Sequence, residues 1–460
     1  MIEFSSKNEY YCKCNTNRSY FERRILLFQL KQLKTDVKTE VIAGITTFLT
    51  MAYIIIVNPI ILADAGVPFD QVFLATIIAA AIGTLWMALF ANYPIAIAPG
   101  MGLNAYFTSV VLASDGQLDY TTAFSAVFIA GIIFVILSLT SFREKLIVSI
   151  PQNLKHGITA GIGLFIAFIG LRLSGIVTSH ESNLVQLGDL TSPPVMLALF
   201  GLIVTVILMT LNIHGSIFIG MIITGIIAFF TKQLSFKEGI WQLPSLPEGI
   251  LIWNPVTALS DVITHGLYGV VLAFLIVTMF DTTGTMIGVA KQAGLIRKDG
   301  SMPRVRHALL ADSVAATVGS MFGTSPTSAY VESSSGVAVG GRSGLTTLTV
   351  AILFMAAAFF GPLVSALSGV SAITAPALII VGSLMIGVVR EIEWDSFEEA
   401  FPAFLIILTM PLTSSIATGI ALGFITYPIL KIVKGKAKQV PILLYIFAVL
   451  FLYQLLFLGH

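Results

Sequence analysis

Three acidic residues, Asp281, Asp312 and Glu332, lie inside long apolar stretches of the sequence, where charged side chains are unusual. Asp281 comes ten residues before Lys291, which places it about 15 Å from that charge along a helix. Burying a charge in an apolar layer costs about 2.5–3.5 kcal/mol, so such residues persist mainly where they face a partner or a cavity. Asp281 and Glu332 are therefore predicted to bind a ligand. Asp312 lies five residues after His307 at a helix start, which fits a packing role as well as a coupling role.

Neutral polar side chains accompany the two acids. Thr285 follows Asp281 by one helical turn, and Ser333 follows Glu332 directly. Asn104, in an earlier stretch, offers a donor and an acceptor in one side chain. Carboxylates, hydroxyls and an amide suit a small planar ligand that both donates and accepts hydrogen bonds. The alternative is a buried acid pair satisfied by local hydroxyls, with Asn104 forming a turn.

The composition places these residues in a membrane protein. Of 460 residues, 11% are charged and 56% are hydrophobic, and the mean hydropathy is +0.93. Because a soluble domain has roughly 25% charged residues, water-soluble proteins are excluded. The net charge of +1 provides no basic surface for nucleic acid. The two cysteines, Cys12 and Cys14, lie in a polar tail without the other ligands of a zinc site, so we expect no metal and no cofactor.

Apolar runs of about 20 residues predict the membrane spans. The first seven runs cover residues 41–62, 71–91, 95–112, 122–140, 154–173, 195–212 and 214–231. The others cover residues 265–290, 307–322, 324–341, 345–361, 373–390, 397–412 and 414–434. The sequence therefore predicts an all-α polytopic membrane protein of about fourteen spans, as seven plus seven. A last apolar segment within residues 441–460 either crosses the membrane or lies along its surface.

Positive charges predict the orientation of these spans. Lys and Arg cluster in the tail 1–40, around Lys155, from Lys291 to Arg306 and from Lys431 to Lys438. With about fourteen spans, all of these positions fall on one side, which the positive-inside rule assigns to the cytoplasm. We therefore expect a multi-pass protein of the plasma (inner) membrane with a cytoplasmic N-terminus.

The third and tenth segments are interrupted. Ile95–Phe107 contains Pro99, Gly323–Gly336 contains Pro326, and proline breaks a helix because it lacks an amide hydrogen. We predict for each segment a short extended stretch followed by a half-helix. Halves with an odd number of spans enter the membrane in opposite senses, as in inverted-repeat transporters, whose binding sites lie near the midplane at such broken segments.

The two acids also offer a way to couple transport to protons. A carboxylate in a dehydrated pocket holds a proton readily and releases it when the pocket opens to water. We expect Glu332 to bind the substrate and Asp281 to carry the proton, with these roles interchangeable. The proton is then the coupling ion.

Several motifs carry a family resemblance. They are Thr46–Tyr53 followed by Asn58-Pro59, then Tyr93–Ala105, Phe280–Thr285, Tyr330–Gly336 and Gly340–Gly344. In this order they closely resemble the azaguanine-like branch of the nucleobase:cation symporter family, the purine permeases of the xanthine-uracil permease superfamily. The resemblance covers about residues 38 to 440.

The resemblance implies an inverted repeat of fourteen segments divided into two domains. The core domain would comprise residues 41–140 and 262–361, with segments 1–4 and 8–11, and the gate domain residues 141–261 and 362–440, with segments 5–7 and 12–14. The core would move against the gate in an elevator-like motion. Asp281 and Glu332 match the family's acidic positions in segments 8 and 10. The expected substrate is a purine base: guanine, hypoxanthine or adenine.

A purine also fits the site predicted from the residues alone. Its ring N–H groups would donate hydrogen bonds to Glu332, and its flat face would rest on Phe280 or Tyr106, although aromatic residues in an apolar bundle are usually core. The oligomeric state stays open, with a homodimer as one arrangement.

Two other function classes compete with this prediction. An anion carrier of the same architecture would bind its anion at half-helix amides beside a basic residue, and Arg342 is the basic residue closest to the site in the sequence. An intramembrane enzyme has less support, because the sequence lacks the His-Glu-x-x-His, Gly-x-Ser-x-Gly and P-loop motifs. We therefore expect a transporter and not an enzyme, with a purine base and the lipid bilayer as its partners.

Overall fold

The computed structural model describes residues 28–114, 116–140, 150–180, 184–234, 239–297, 302–453 and 455–456. Cys12, Cys14 and most of the predicted tail lie outside these residues. Phe280 belongs to a described helix, but its side chain is not among the described side chains. In the described ranges, nine helices are long and apolar enough to cross a membrane, and shorter apolar helices accompany them. The chain is a mostly helical, multi-pass membrane protein.

The elements follow one another in two similar series. The first series is α1 Val37–Met51, α2 Ile54–Ala63, α3 Phe69–Trp86, β1 Ile97–Pro99, α4 Met101–Leu112, α5 Tyr120–Leu139, α6 Gln152–Leu173, β2 Val177–His180, β3 Leu184–Leu187, α7 Pro193–Thr210 and α8 Ser216–Phe230. The second is α9 Pro255–Thr264, α10 Tyr268–Gln292, α11 Val305–Phe322, β4 Thr327–Ala329, α12 Ser333–Val339, α13 Gly344–Ala357, α14 Gly361–Ser368, α15 Ser371–Met385, α16 Phe397–Thr413, α17 Ile416–Val433 and α18 Ile442–Tyr453.

The first span is broken just before Tyr53, where α1 ends and α2 begins. The Asp36 carboxylate caps α1 by accepting a hydrogen bond from the Thr39 amide at 3.0 Å. The helix therefore begins before the span predicted from residue 41. Glu40, which the sequence analysis placed in the tail, belongs to α1 and is fully buried.

The interrupted segments cross each other as an antiparallel strand pair. β1 pairs with β4 in a register that sets Ile97 opposite Ala329 and Pro99 opposite Thr327. The pairing extends at one end through the Gly100 amide, which donates to the Pro326 carbonyl at 3.0 Å. Each strand is followed by a short helix, α4 or α12, as the prolines predicted. Because the strands are antiparallel, these helices leave the crossing in opposite directions.

Two elements were not predicted from the sequence. β2 and β3 form an antiparallel hairpin in the connection between α6 and α7. α9 lies between the predicted spans 214–231 and 265–290 and packs against α5, where the Ser125 hydroxyl donates to Asp261 at 2.8 Å. Both lie in connections between spans, which a search for apolar runs does not examine.

Helix α6 packs closely against α15 and α16 through glycines. A Cβ atom on Gly163 would lie 2.8 Å from the Gly382 carbonyl oxygen, and one on Gly170 would lie 2.9 Å from the Ala375 carbonyl oxygen. On the α16 side, a Cβ on Gly157 would approach the Ala403 backbone to 3.0 Å. Since small residues let helix backbones approach closely, these contacts form a compact helical unit beside the strand crossing.

Candidate functional site

Glu332 lies between β4 and α12, at the N-cap position of the short helix. Its side chain is half-buried, and Oε1 accepts a hydrogen bond from the Tyr53 hydroxyl at 2.5 Å. Tyr53 is 1% exposed and stands at the break between α1 and α2. A residue of the first span therefore holds Glu332, the predicted substrate-binding acid. The other carboxylate oxygen, Oε2, takes no part in the bond to Tyr53.

Tyr330 and Ser333, which flank Glu332 in the sequence, form hydrogen bonds with residues in and next to β1. The Tyr330 amide donates to the Ala96 carbonyl at 3.0 Å, and the Tyr330 hydroxyl donates to the Pro99 carbonyl at 2.5 Å. The Ser333 hydroxyl oxygen accepts a hydrogen bond from the Ala96 amide at 3.0 Å, and Ser333 is fully buried. This geometry argues against the predicted substrate contact of Ser333, because its side chain is enclosed in a contact between the two broken segments.

Asp281 faces the crossing from helix α10. Its carboxylate is half-buried and lies within hydrogen-bonding reach of the Ser328 hydroxyl on β4. It is also close enough to Glu332 for the two carboxylates to interact electrostatically. Thr285, one turn further along α10, is half-buried. The structure thus brings the two predicted acids together, with Thr285 on the same helix as Asp281.

Asp312 is a packing residue. It is fully buried on α11, and Oδ2 accepts a hydrogen bond from the Thr282 hydroxyl at 2.5 Å. The Thr327 hydroxyl lies 3.0 Å from Oδ1. Asp312 thereby joins α10 and β4 to α11, which favours the packing role over the coupling role.

Asn104 lies in the first turns of α4 and is fully buried. Its side-chain oxygen accepts a hydrogen bond from the Ser325 hydroxyl, which fixes the amide plane. Among the described residues, its Nδ2 has no hydrogen-bond partner. Leaving a buried donor unpaired costs about 1–3 kcal/mol, so this amide is suited to meet an acceptor on a ligand.

The predicted aromatic contacts are not supported by the geometry. Tyr106 is 1% exposed, and its ring packs against Phe274 with a centroid distance of 4.9 Å. It is therefore a core side chain, and the predicted stacking of Tyr106 on a substrate is disfavoured because the ring has no open face. Phe280 was the other candidate, and its side chain lies outside the described residues.

Sequence reasoning missed Tyr53 and Glu40. Tyr53 ends the motif Thr46–Tyr53 inside the predicted span 41–62, and this motif was the available signal. The Glu40 carboxylate accepts hydrogen bonds from the amides of Arg342, Ser343 and Thr346, at 2.9, 3.2 and 3.2 Å. It thereby caps α13, and the Gly340–Gly344 motif was the available signal.

The basic residue near the site is already engaged. The Arg342 guanidinium donates to the carbonyls of Val337 and Gly341 at 2.6 and 2.7 Å, at the end of α12. It therefore closes a helix end and does not face the acids as a free cation. In the described part of the chain, no group of three or more His, Cys, Asp or Glu side chains is placed to hold a metal ion.

The sequence is similar to those of named permeases over almost its whole length. Residues 38–422 match the family model Xan_ur_permease, described as a permease family. The guanine/hypoxanthine permease PbuO of Bacillus subtilis is 66% identical over 94% of this chain and 100% of its own length. The adenine permease AdeQ of Escherichia coli is 40% identical over 92% of this chain and 94% of its own length.

Solved structures show the fold alone. The transmembrane domain of the cyanobacterial bicarbonate transporter BicA matches with a TM-score of 0.58 and 17% identity, over 83% of this chain and 96% of that one. SLC26A9 matches with a TM-score of 0.61 and 13% identity, over 95% of this chain and 72% of that one. Together with the family match and the sequence identities, this shows a transporter fold, and the chain belongs to the xanthine-uracil permease family, in its purine permease branch.

Proposed function

We propose that this protein is a secondary active transporter that imports purine nucleobases, with guanine and hypoxanthine as its main substrates and adenine as a further candidate. The observation that carries the proposal is the position of Glu332, half-buried where the two broken segments cross and held by Tyr53. A carboxylate there accepts hydrogen bonds from the ring N–H groups of a purine. The names of the relatives support the same substrate class.

The nearby residues extend the proposed site. Asp281 and Asn104 supply a second acid and an unpaired amide donor, and Thr285 supplies a hydroxyl beside Asp281. A purine presents both ring N–H donors and ring nitrogen acceptors, so this set complements its edge. An inorganic anion is a poorer ligand, because the side chains facing the crossing include two carboxylates and Arg342 is engaged with helix carbonyls.

The proposed mechanism moves one domain against the other. The repeat would have about fourteen spans, with segments 1–4 and 8–11 in the core and segments 5–7 and 12–14 in the gate. The N-terminus would lie in the cytoplasm. In this division the strand crossing and its acids would belong to the core, and the glycine-packed unit around α6 would belong to the gate. Substrate bound at their boundary would be carried across by an elevator-like motion of the core.

Uptake of labelled guanine in cells that lack their own purine permeases tests the proposed substrate. Unlabelled purines, pyrimidines and inorganic anions are added in turn as competitors. We expect guanine and hypoxanthine to compete and the anions to leave uptake unchanged. Competition by bicarbonate or sulfate alone would support the anion carrier instead.

Glu332→Gln connects the activity to the site. The amide keeps the size of the side chain but presents one acceptor oxygen and an NH₂ donor in place of a carboxylate, so we expect guanine uptake to fall at least about a hundredfold. Surface labelling should find the variant in the membrane at the wild-type level. Uptake at the normal rate would show that the substrate binds elsewhere.

Proton coupling is a separate part of the proposal, with Asp281 as the proton carrier. An uncoupler that collapses the pH gradient should stop accumulation of guanine against its gradient while leaving exchange of internal and external guanine intact. Undiminished accumulation would identify another driving ion.

A further inference from the structure

The first span contains a motif that the proposed mechanism does not use. Thr46–Tyr53 ends at the break between α1 and α2, and its last residue points to the site. The Tyr53 hydroxyl donates to Glu332 Oε1 at 2.5 Å, and the Thr50 hydroxyl lies 3.4 Å from the Glu332 carbonyl oxygen. Two side chains of the motif thus contact Glu332, one at its carboxylate and one at its backbone carbonyl.

The bond between Tyr53 and Glu332 is strong by its chemistry. A buried phenol requires a hydrogen-bond partner, and Tyr53 is 1% exposed. A hydroxyl that donates to a carboxylate forms a short, charge-assisted bond, about twice as strong as a neutral one. The contact joins the first span to the loop before α12, two distant parts of the sequence.

Neighbouring groups do not replace this donor. Tyr330 also borders Glu332, but its hydroxyl donates to the Pro99 carbonyl. Asp281, the other titratable group near Glu332, repels a carboxylate when both are charged. Among these three side chains, Tyr53 is the one that donates to the acid.

We propose that Tyr53 is a positioning residue for substrate recognition: it engages Oε1 of Glu332 and thereby orients the carboxylate so that Oε2 receives the N–H group of the base. This inference rests on the proposed function and deepens it. Because Tyr53 acts through Glu332 and does not touch the base, its effect is the same for every purine that the acid binds.

Tyr53→Phe is the direct test, since it removes the hydroxyl and keeps the ring. We expect the KM for guanine uptake to rise roughly ten- to a hundredfold, the range that a hydrogen bond to a charged group supports. The KM for hypoxanthine should rise by the same factor, and the maximal rate per surface molecule should stay near wild type. Tyr445→Phe is the matched control, because it removes a hydroxyl bond of 3.1 Å to the Ala437 carbonyl far from the site.

Glu332→Asp provides a second test. The shorter side chain withdraws the carboxylate from Tyr53, so its KM should rise uniformly for guanine and hypoxanthine, and adding Tyr53→Phe should change it little further. This variant also decides the matter if Tyr53→Phe does not reach the membrane, since an unchanged KM for Glu332→Asp contradicts the proposal.

Three results would overturn the positioning role. A wild-type KM in Tyr53→Phe shows that the bond is dispensable. Lower surface abundance with an unchanged KM shows a structural role only, and an altered ratio between the guanine and hypoxanthine KM values shows direct contact with the base. If the wild-type protein takes up no purine at all, the proposed function itself fails, which the wild-type assay reveals before any variant is measured.

Discussion

Two glutamates, a fully buried one in the proposed core and a half-buried one in the proposed gate, are satisfied in different ways. Glu40 on α1 is fully buried and accepts hydrogen bonds from three backbone amides and from the Thr346 hydroxyl at 2.6 Å. Glu399 on α16, with a side chain 12% exposed, pairs with Lys431 of α17 at 2.5 Å. It also accepts hydrogen bonds from Asn153 of α6 at 2.8 Å and from Tyr427 at 3.1 Å.

The difference shows how the surroundings of each glutamate are held together. At Glu40, a carboxylate from the first span meets the N-terminus of α13, where unpaired amides carry a partial positive charge. At Glu399, an ion pair and neutral donors join three helices. A network of neutral donors is destabilised when its one acceptor is removed. An ion pair is destabilised when either charge is removed alone, but removing both charges together is often neutral for stability.

The largest effect is expected for Glu40→Ala. The substitution removes the carboxylate acceptor of the Arg342 and Ser343 amides and of the Thr346 hydroxyl, while the Thr346 amide keeps the Ser343 carbonyl at 3.2 Å. Each group left unpaired costs about 1–3 kcal/mol, so we expect a loss of about 4 kcal/mol or more in the free energy of unfolding. Unfolding of the purified protein in detergent measures this loss. Glu40→Gln is the control, because it keeps one acceptor oxygen and should lose about half as much. Equal stability of the two variants would contradict the capping role.

Lys431→Met is expected to have the next largest effect. It leaves the Glu399 carboxylate, 12% exposed, without its cation, and breaking a buried pair costs about 3–5 kcal/mol. We expect the lower end of that range, because Asn153 and Tyr427 continue to donate to Glu399. The same unfolding measurement applies.

The double variant Lys431→Met/Glu399→Gln tests whether the charge is the cause. Removing both charges should recover most of the lost stability, since replacing a whole buried pair is often neutral. If the double variant is as unstable as the single one, the lysine acts through its packing on the Tyr427 ring, 5.3 Å from the centroid, and the contrast with Glu40 disappears.

The broken segments were predictable, but their pairing was not. Pro99 and Pro326 each remove an amide hydrogen, so the sequence alone indicates where a helix cannot continue. The register that sets Ile97 opposite Ala329 joins distant residues and depends on how the two halves meet. The local pattern therefore indicates where the helices break, and tertiary contacts determine how the two broken segments pair.

The acids were easier to predict than the groups that hold them. Asp281 and Glu332 are conspicuous because charged residues are rare in an apolar run, whereas an aromatic residue such as Tyr53 is common there. The opposite holds for Ser333: a polar side chain beside an acid suggests a ligand contact, but the Ser333 hydroxyl accepts a hydrogen bond from the Ala96 amide, which disfavours that contact. Glu40 was assigned to the tail because charges surround it in sequence.

The smallest effect is expected for Lys436→Met, next to the Lys431–Glu399 pair. Glu398 is 3% exposed, but its two partners are open to water: Lys436, 40% exposed, bonds one oxygen at 2.8 Å, and Lys434, 53% exposed, bonds the other at 2.5 Å. The loss of Lys436 leaves Glu398 paired with Lys434, and an interaction with an exposed ammonium contributes little and is screened by salt. We expect a small decrease in melting temperature that vanishes at about 1 M salt, unlike the decrease caused by Lys431→Met.

The pH dependence of this variant follows from the same pair. The Glu398 carboxylate raises the pKa of Lys436 above its ordinary value of 10.5. A lysine pKa that is higher in the folded state stabilises the fold fully below the unfolded value, and this contribution is lost as the pH rises through the folded value. The difference in melting temperature between wild type and Lys436→Met should therefore stay constant from about pH 6 to 9 and shrink above about pH 10.5. A difference as large as that of Lys431→Met, or one that persists in high salt, would mean that the Lys436–Glu398 pair is shielded from solvent as well as the Lys431–Glu399 pair is.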